Sequence, residues 1–248
     1  DTKLAESSAL QLNGKSNIEK AFNFFISQEG GNFTVEQACG MIGNFCVESA
    51  ASANNGDINP AAVSGFKDEG SFGIAQWNPA KAAGERLGKL VTFSSSQGLS
   101  HTTLEAQLLF VKYELETFSY LGVGSLRKSE TVEQATEVFQ NKYERPRGGG
   151  TVIILSQTPL SITSVTGRIR EGVPFATKID GFKLENNRII LPTYYQTATV
   201  EYEVEGNPQE FKQFVGKDFA NSFFQAQNQI SEQTSQVFED AQFDKINN

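Results

Sequence analysis

The sequence predicts an α+β protein: a mainly helical domain, then a small β module, then a C-terminal helix. Three observations predict it. Four segments before residue 150 open with a capping signature and continue with apolar residues at helical spacing. The run Pro146-Arg147-Gly148-Gly149-Gly150 breaks the pattern, and the composition turns to strand alternation after it. Beyond residue 206, Phe211, Val215, Phe219, Phe223, Ala226 and Ile230 recur with the helical period.

Residues 1–15 are polar and aperiodic, and read as a tail or linker. Ser16-Asn17-Ile18-Glu19 is a capping box, followed by the stripe Ile18, Phe22, Phe25 and Ile26. Thr34-Val35-Glu36-Gln37 opens a second helix with Val35, Ala38, Cys39, Ile42 and Cys46 on one face. Thr102-Thr103-Leu104-Glu105 opens a third, with Leu104, Leu108, Val111 and Leu115 aligned. Thr131-Val132-Glu133-Gln134 opens a fourth, with Val132, Ala135, Val138, Phe139 and Tyr143. Between the second and third lies a Gly-, Asn- and Ser-rich region, expected to hold a short hairpin and a helix near 79–90. Long irregular stretches of this kind are often binding surfaces. In the β module, 151–155, 189–191 and 199–204 are the best strands, and Asn207-Pro208-Gln209 is expected to start the final helix. The domains are therefore read as 16–150 helical, 151–205 β-rich and 206–248 a helical assembly segment.

The chain has 248 residues, twenty of them Phe against a single Trp, and a net charge of −8. Phe is expected to carry much of the burial. The acidic balance argues against nucleic acid and anionic membrane as partners, since both need a basic face. No apolar run is long enough to span a bilayer. The chain starts with Asp1 and its one methionine is Met41, so a piece of a longer protein is expected. Cys39 and Cys46 lie about two turns apart on one helix face, too far for a disulfide, and read as small core residues. The lone His101 reads as surface. No metal site and no cofactor are expected.

The chemistry concentrates in two stretches. Gly43-Asn44-Phe45-Cys46-Val47-Glu48-Ser49 puts one acidic residue at the end of an apolar helix. Burial raises a carboxyl pKa, which makes Glu48 a candidate proton donor. Gly70-Ser71-Phe72-Gly73 permits a tight hairpin, because glycine accepts positive φ. Gln76 and Trp77 follow it as candidates for gripping a sugar, with the indole as a stacking platform. The combination points to an enzyme that cuts a glycan.

Gly40-x-x-Gly43-Asn44, Glu48-Ser49, Ser71-Phe72-Gly73-Ile74-Ala75-Gln76-Trp77, Gln107-Leu108-x-Phe110-x-x-Tyr113-Glu114-Leu115-Glu116 and Phe139-x-x-x-Tyr143-Glu144-Arg145-Pro146 resemble the phage tail lysozyme family over about residues 16–150. Val47 stands where that family often has Gln. The resemblance implies a lysozyme-like fold related to goose-type lysozymes and lytic transglycosylases. It implies cleavage of the MurNAc–GlcNAc β-1,4 bond of peptidoglycan, with Glu48 as the catalytic acid. It also implies a place on a virion tail tip among other tail proteins, acting on the host wall during entry.

A second carboxylate is expected to orient water for inverting hydrolysis, with Asp68 or Glu69 as candidates and Asp57 behind them. Phe72, Gln76, Trp77 and Tyr113 are the candidate substrate contacts. Glu144 and Arg145 read as a structural ion pair. Two alternatives stay open. One is a lytic transglycosylase, favoured if no carboxylate faces Glu48. The other is a non-catalytic glycan-binding or structural tail component. The β segment and the final helix are expected to mediate assembly, with self-association through 206–248.

Overall fold

The computed structural model describes residues 10–65, 69–145, 152–155, 159, 161–167, 177–192, 199–212 and 216–246. The helical part comprises α1 (Asn17–Ile26), α2 (Val35–Glu48), α3 (Arg86–Ser96), α4 (Leu104–Thr117), α5 (Val123–Arg127) and α6 (Val132–Val138). Among these residues no helix is long and apolar enough to cross a membrane.

The helix starts follow the cap chemistry. The Ser16 hydroxyl accepts from the Glu19 N–H, and both Thr34–Gln37 and Thr131–Gln134 form reciprocal capping boxes at α2 and α6. At α4, Thr103 takes the cap and accepts from Ala106 N–H. The helix expected near 79–90 is displaced: a single 3₁₀ turn occupies Lys81–Ala83 and α3 begins at Arg86. Gly84 and Glu85, both at positive φ, separate the two.

Phenylalanine does carry the core. Phe25, Phe45, Phe110 and Phe139 are almost wholly buried. Phe45 meets Phe139 edge-on at 5.4 Å between ring centroids, and Phe139 stacks on Tyr143 at 4.4 Å. Cys39 and Cys46 are free and buried, and burial pushes both thiols up to about 12. They are unreactive packing residues, as their stripe positions imply. Leu10 and Leu12, in the stretch read as a tail, pack against this core.

The two glycines of Gly40-x-x-Gly43 bring helices into close contact on opposite partners. A Cβ at Gly40 would meet Ala135 of α6 at 2.6 Å, while Asn44 Nδ2 bridges the Gly40 and Thr136 carbonyls. A Cβ at Gly43 would meet the Gly216 carbonyl oxygen at 2.4 Å and Ala220 at 2.7 Å, both at the start of α7 (Lys217–Ile246). Helix α7 therefore begins against α2. Phe219, Phe223 and Phe224 pack on the helical core, and Phe223 meets Phe22 edge-on at 5.3 Å. The Phe stripe of the final helix thus has its partner within the helical domain. Only farther out does α7 leave it, with Ile230 57% and Val237 67% exposed. Substituting Gly43→Ala is expected to destabilise the protein by about 1–3 kcal/mol through overpacking at this contact. Thermal denaturation, with proteolysis to track release of α7, checks it.

The β module forms two antiparallel sheets. One has the order β1 (Val152–Ile154), β5 (Arg188–Ile190), β4 (Lys183–Glu185). The other has the order β3 (Thr177–Lys178), β2 (Ile162–Gly167), β6 (Thr199–Val204), β7 (Asn207–Lys212). Ile153, Val165, Ile189 and Val200 belong to a core of their own.

One boundary is corrected. Asn207-Pro208-Gln209 starts no helix; it opens β7, which pairs residue by residue with β6. Glu205 and Gly206 both take positive φ, the requirement of a two-residue hairpin turn. Pro208 is tolerated because β7 is an edge strand. The β module thus extends to residue 212, and the helix starts at Lys217.

Candidate active site

The site is built where α2 ends. Ser49 caps α2, donating its hydroxyl to Phe45 O and accepting from Asn59 N–H. That fixes the chain leaving Glu48, the last residue of α2. The Glu48 carboxyl is raised from 4.5 to about 7, by burial first and then by the charge of Glu69, with Arg86 pulling it down. A carboxyl held at that level carries a proton at neutral pH in a large fraction of molecules.

The loop carrying Phe72 and Trp77 is fastened by a small hairpin. Phe72 and Trp77 exchange both backbone hydrogen bonds, and Gly73 turns between them at φ +83°. A Cβ at Gly73 would strike Gln107 Oε1 at 2.8 Å and Trp77 at 2.9 Å. Gln107, buried on α4, is the clamp: Oε1 accepts from Ile74 N–H, and Nε2 donates to the Pro60 and His101 carbonyls. Glu69 sits at the base of this loop. Its two oxygens accept from Ser64 Oγ at 2.6 Å and Ser71 Oγ at 3.2 Å, the setting of an oriented carboxylate. Asp68 lies outside the described residues.

Beneath the site is a buried polar network. Glu114, on α4, accepts from Trp77 Nε1 at 3.0 Å, from the Tyr143 hydroxyl at 2.6 Å, and from the Arg86 guanidinium at 2.7 and 2.9 Å. Arg86 also donates to the Tyr143 carbonyl, with its guanidinium 4.6 Å from the Tyr143 ring centroid. Burial, and then Glu114, hold the Tyr143 phenol well above its usual range, so it stays a donor.

Several sequence expectations change here. Trp77 is 0% exposed and spends its one donor on Glu114, so it is a core residue and presents no face to a sugar. Gln76, in the left-handed region at φ +46°, folds its amide back onto the Ala62 and Gly73 carbonyls and braces the loop. Asp57 accepts from the Asn17 and Ile18 N–H groups, capping α1 instead of serving as a base. Phe72 is partly buried against the half-buried His101, ring centroids 5.5 Å apart. Tyr113 is 40% exposed and lines a groove of about 900 Å³ with Phe93 and Phe118.

Glu144 and Arg145 do not form an ion pair. Arg145 lies over the Tyr120 ring. Glu144 ends a π-helical turn, Phe139–Glu144, that continues α6. Its Oε1 is buried without a hydrogen-bond partner. Burial, and then the charge of Glu48, push its carboxyl well above the usual range. The charge of Glu48 thus acts on it, and the ion pair with Arg145 expected from the sequence is absent. A π turn adds a residue to the turn and rotates the positions after it. The signal available in the sequence was only the Tyr143-Glu144-Arg145-Pro146 run itself.

A family model described as phage tail lysozyme matches residues 16–157, from the cap of α1 to just past β1. The chain belongs to the phage tail lysozyme family. No curated protein matches the chain. Membership implies a lysozyme-like, peptidoglycan-degrading function and a virion location. The matched span holds Glu48, Glu69, Glu144 and the Arg86–Glu114 network, and it ends before most of the β module.

Proposed function

We propose that this phage tail lysozyme is a muramidase that hydrolyses the MurNAc–GlcNAc β-1,4 bond, with Glu48 as general acid and Glu69 as general base. The observation that carries the reading is the Glu48 carboxyl, raised to about 7 by burial and then by the charge of Glu69. One carboxyl holds a proton to give to the leaving oxygen. The other, held by two serine hydroxyls, is placed to take one from water. A carboxylate opposite the acid favours hydrolysis over attack by the substrate's own 6-hydroxyl. Phe72 and Tyr113 remain the candidate sugar contacts.

The expected product of purified murein is saccharide with a reducing MurNAc end and no anhydro sugar, read by mass spectrometry. Glu69→Gln is expected to lower kcat about 10²-fold or more. Anhydro products, or an unimpaired Glu69→Gln enzyme, would overturn the assignment of Glu69. The helical part then acts on the host wall from a tail tip. The β module and the exposed stretch 228–237 of α7 serve attachment to other tail proteins or to a second copy.

A further inference from the structure

We propose that the cavity beside Arg86 is a binding site for an anionic group carried on the wall polymer, a stem-peptide carboxylate or a polymer phosphate. The inference rests on the murein-cutting reading above and names what the enzyme grips away from the scissile bond. The cavity has a volume of about 310 Å³, within the range of ligand pockets. Lys81, Arg86, Lys89 and Arg145 line it, against one carboxylate, Glu114. Glu114 is already matched by Arg86 at 2.7 Å. Three cations are left over, and among the described residues none of them is joined to a carboxylate. That is a local excess of positive charge in a chain of net charge −8.

The cations are also held in place. Lys89 lies 5.6 Å above the Phe118 ring centroid, and Arg145 5.5 Å from that of Tyr120. A long side chain laid on a ring has lost much of its freedom already, so gripping an anion costs less entropy. Arg145 is fixed by its backbone as well. It adopts φ +48°, a conformation that non-glycine residues rarely hold, and its N–H bonds to Gln140 O at 2.8 Å. The residue before it is Glu144, coupled to Glu48, and Arg86 acts on Glu48 too. Arg86, which lines the cavity, thus acts electrostatically on the acid. Lys89 and Phe118 are shared with the larger groove of Phe93 and Tyr113, which gives the rest of a polymer a path onward.

The test compares wild type with Lys81→Gln/Lys89→Gln/Arg145→Gln on one purified murein in three forms. These are intact, freed of stem peptides by an amidase, and freed of phosphate polymers by hydrofluoric acid. Thermal melts establish that the variant is folded. On intact murein the variant is expected to raise KM about tenfold with kcat unchanged. On the form that has lost the relevant anion, the wild-type KM is expected to rise to the variant's; which form does so identifies carboxylate or phosphate. Equal KM values on intact murein overturn the proposal, as does a difference that persists on both stripped forms. If wild type releases no saccharide at all, the hydrolase reading fails separately. The cavity is then judged by sedimentation with the same mureins, where equal binding of the two proteins overturns it.

Discussion

Glu48→Gln is expected to abolish murein hydrolysis and, at the same time, to stabilise the protein above neutral pH. The two effects share one cause. In the folded protein the Glu48 carboxyl is raised from 4.5 to about 7. Between those values the folded state binds more protons than the unfolded state, so wild-type stability falls as pH rises through the window. Glutamine has nothing to ionise and escapes the loss. The variant's advantage should be absent below pH 4.5, grow between 4.5 and 7, and level off above that at on the order of 3 kcal/mol. Activity should fall by about 10²–10⁴-fold, the usual contribution of a general acid. The wild-type rate should decline on the alkaline side near pH 7, as the proton to be donated is lost. Chemical denaturation at pH 4 and pH 8, beside a turbidity assay, reads all of this. A clearing variant, or one no more stable than wild type at pH 8, would remove Glu48 from its role.

Arg86→Ala is expected to destabilise the fold by about 3–5 kcal/mol, the cost of stranding one member of a buried ion pair. Glu114 is 1% exposed and receives two donors from the guanidinium. Without Arg86 its charge keeps only the Trp77 and Tyr143 donors. Adding Glu114→Gln to Arg86→Ala should recover part of the loss, because a neutral amide still accepts from Trp77 and Tyr143 and leaves no uncompensated charge. The single variant should also move the alkaline limb of the activity profile upward, since the Arg86 cation lowers the Glu48 carboxyl. Urea denaturation measures the first effect and the pH dependence of kcat the second. A folded, equally stable Arg86→Ala protein would mean that the network is not what holds the loop, α4 and the π turn together.

The position of Glu48 at the end of α2 was legible in the sequence because its neighbours are local: an apolar helix behind it and a serine cap after it. The capping boxes at Thr34 and Thr131 were legible for the same reason, since both partners lie within one turn. Trp77 was misread because its environment is set by α4. A hydrogen bond to Glu114, 37 positions away, settles which way the indole points. The final helix was started ten residues early because Asn207–Lys212 is short and polar, and its pairing with β6 decides its state.

By itself the sequence determined the capped helices of the first part, the family, and the one acid at the end of an apolar helix. Those depend on residues adjacent in the chain, where spacing and side-chain chemistry are enough. The tertiary structure alone decided that the charge of Glu69 acts on Glu48 and that a Glu144 carboxyl oxygen is buried without a partner. It also decided that Arg86 and Glu114 are paired under the site and that α7 lies on Gly43. Each of these joins segments far apart in the chain. Burial and charge between such segments are fixed only once the helices have packed.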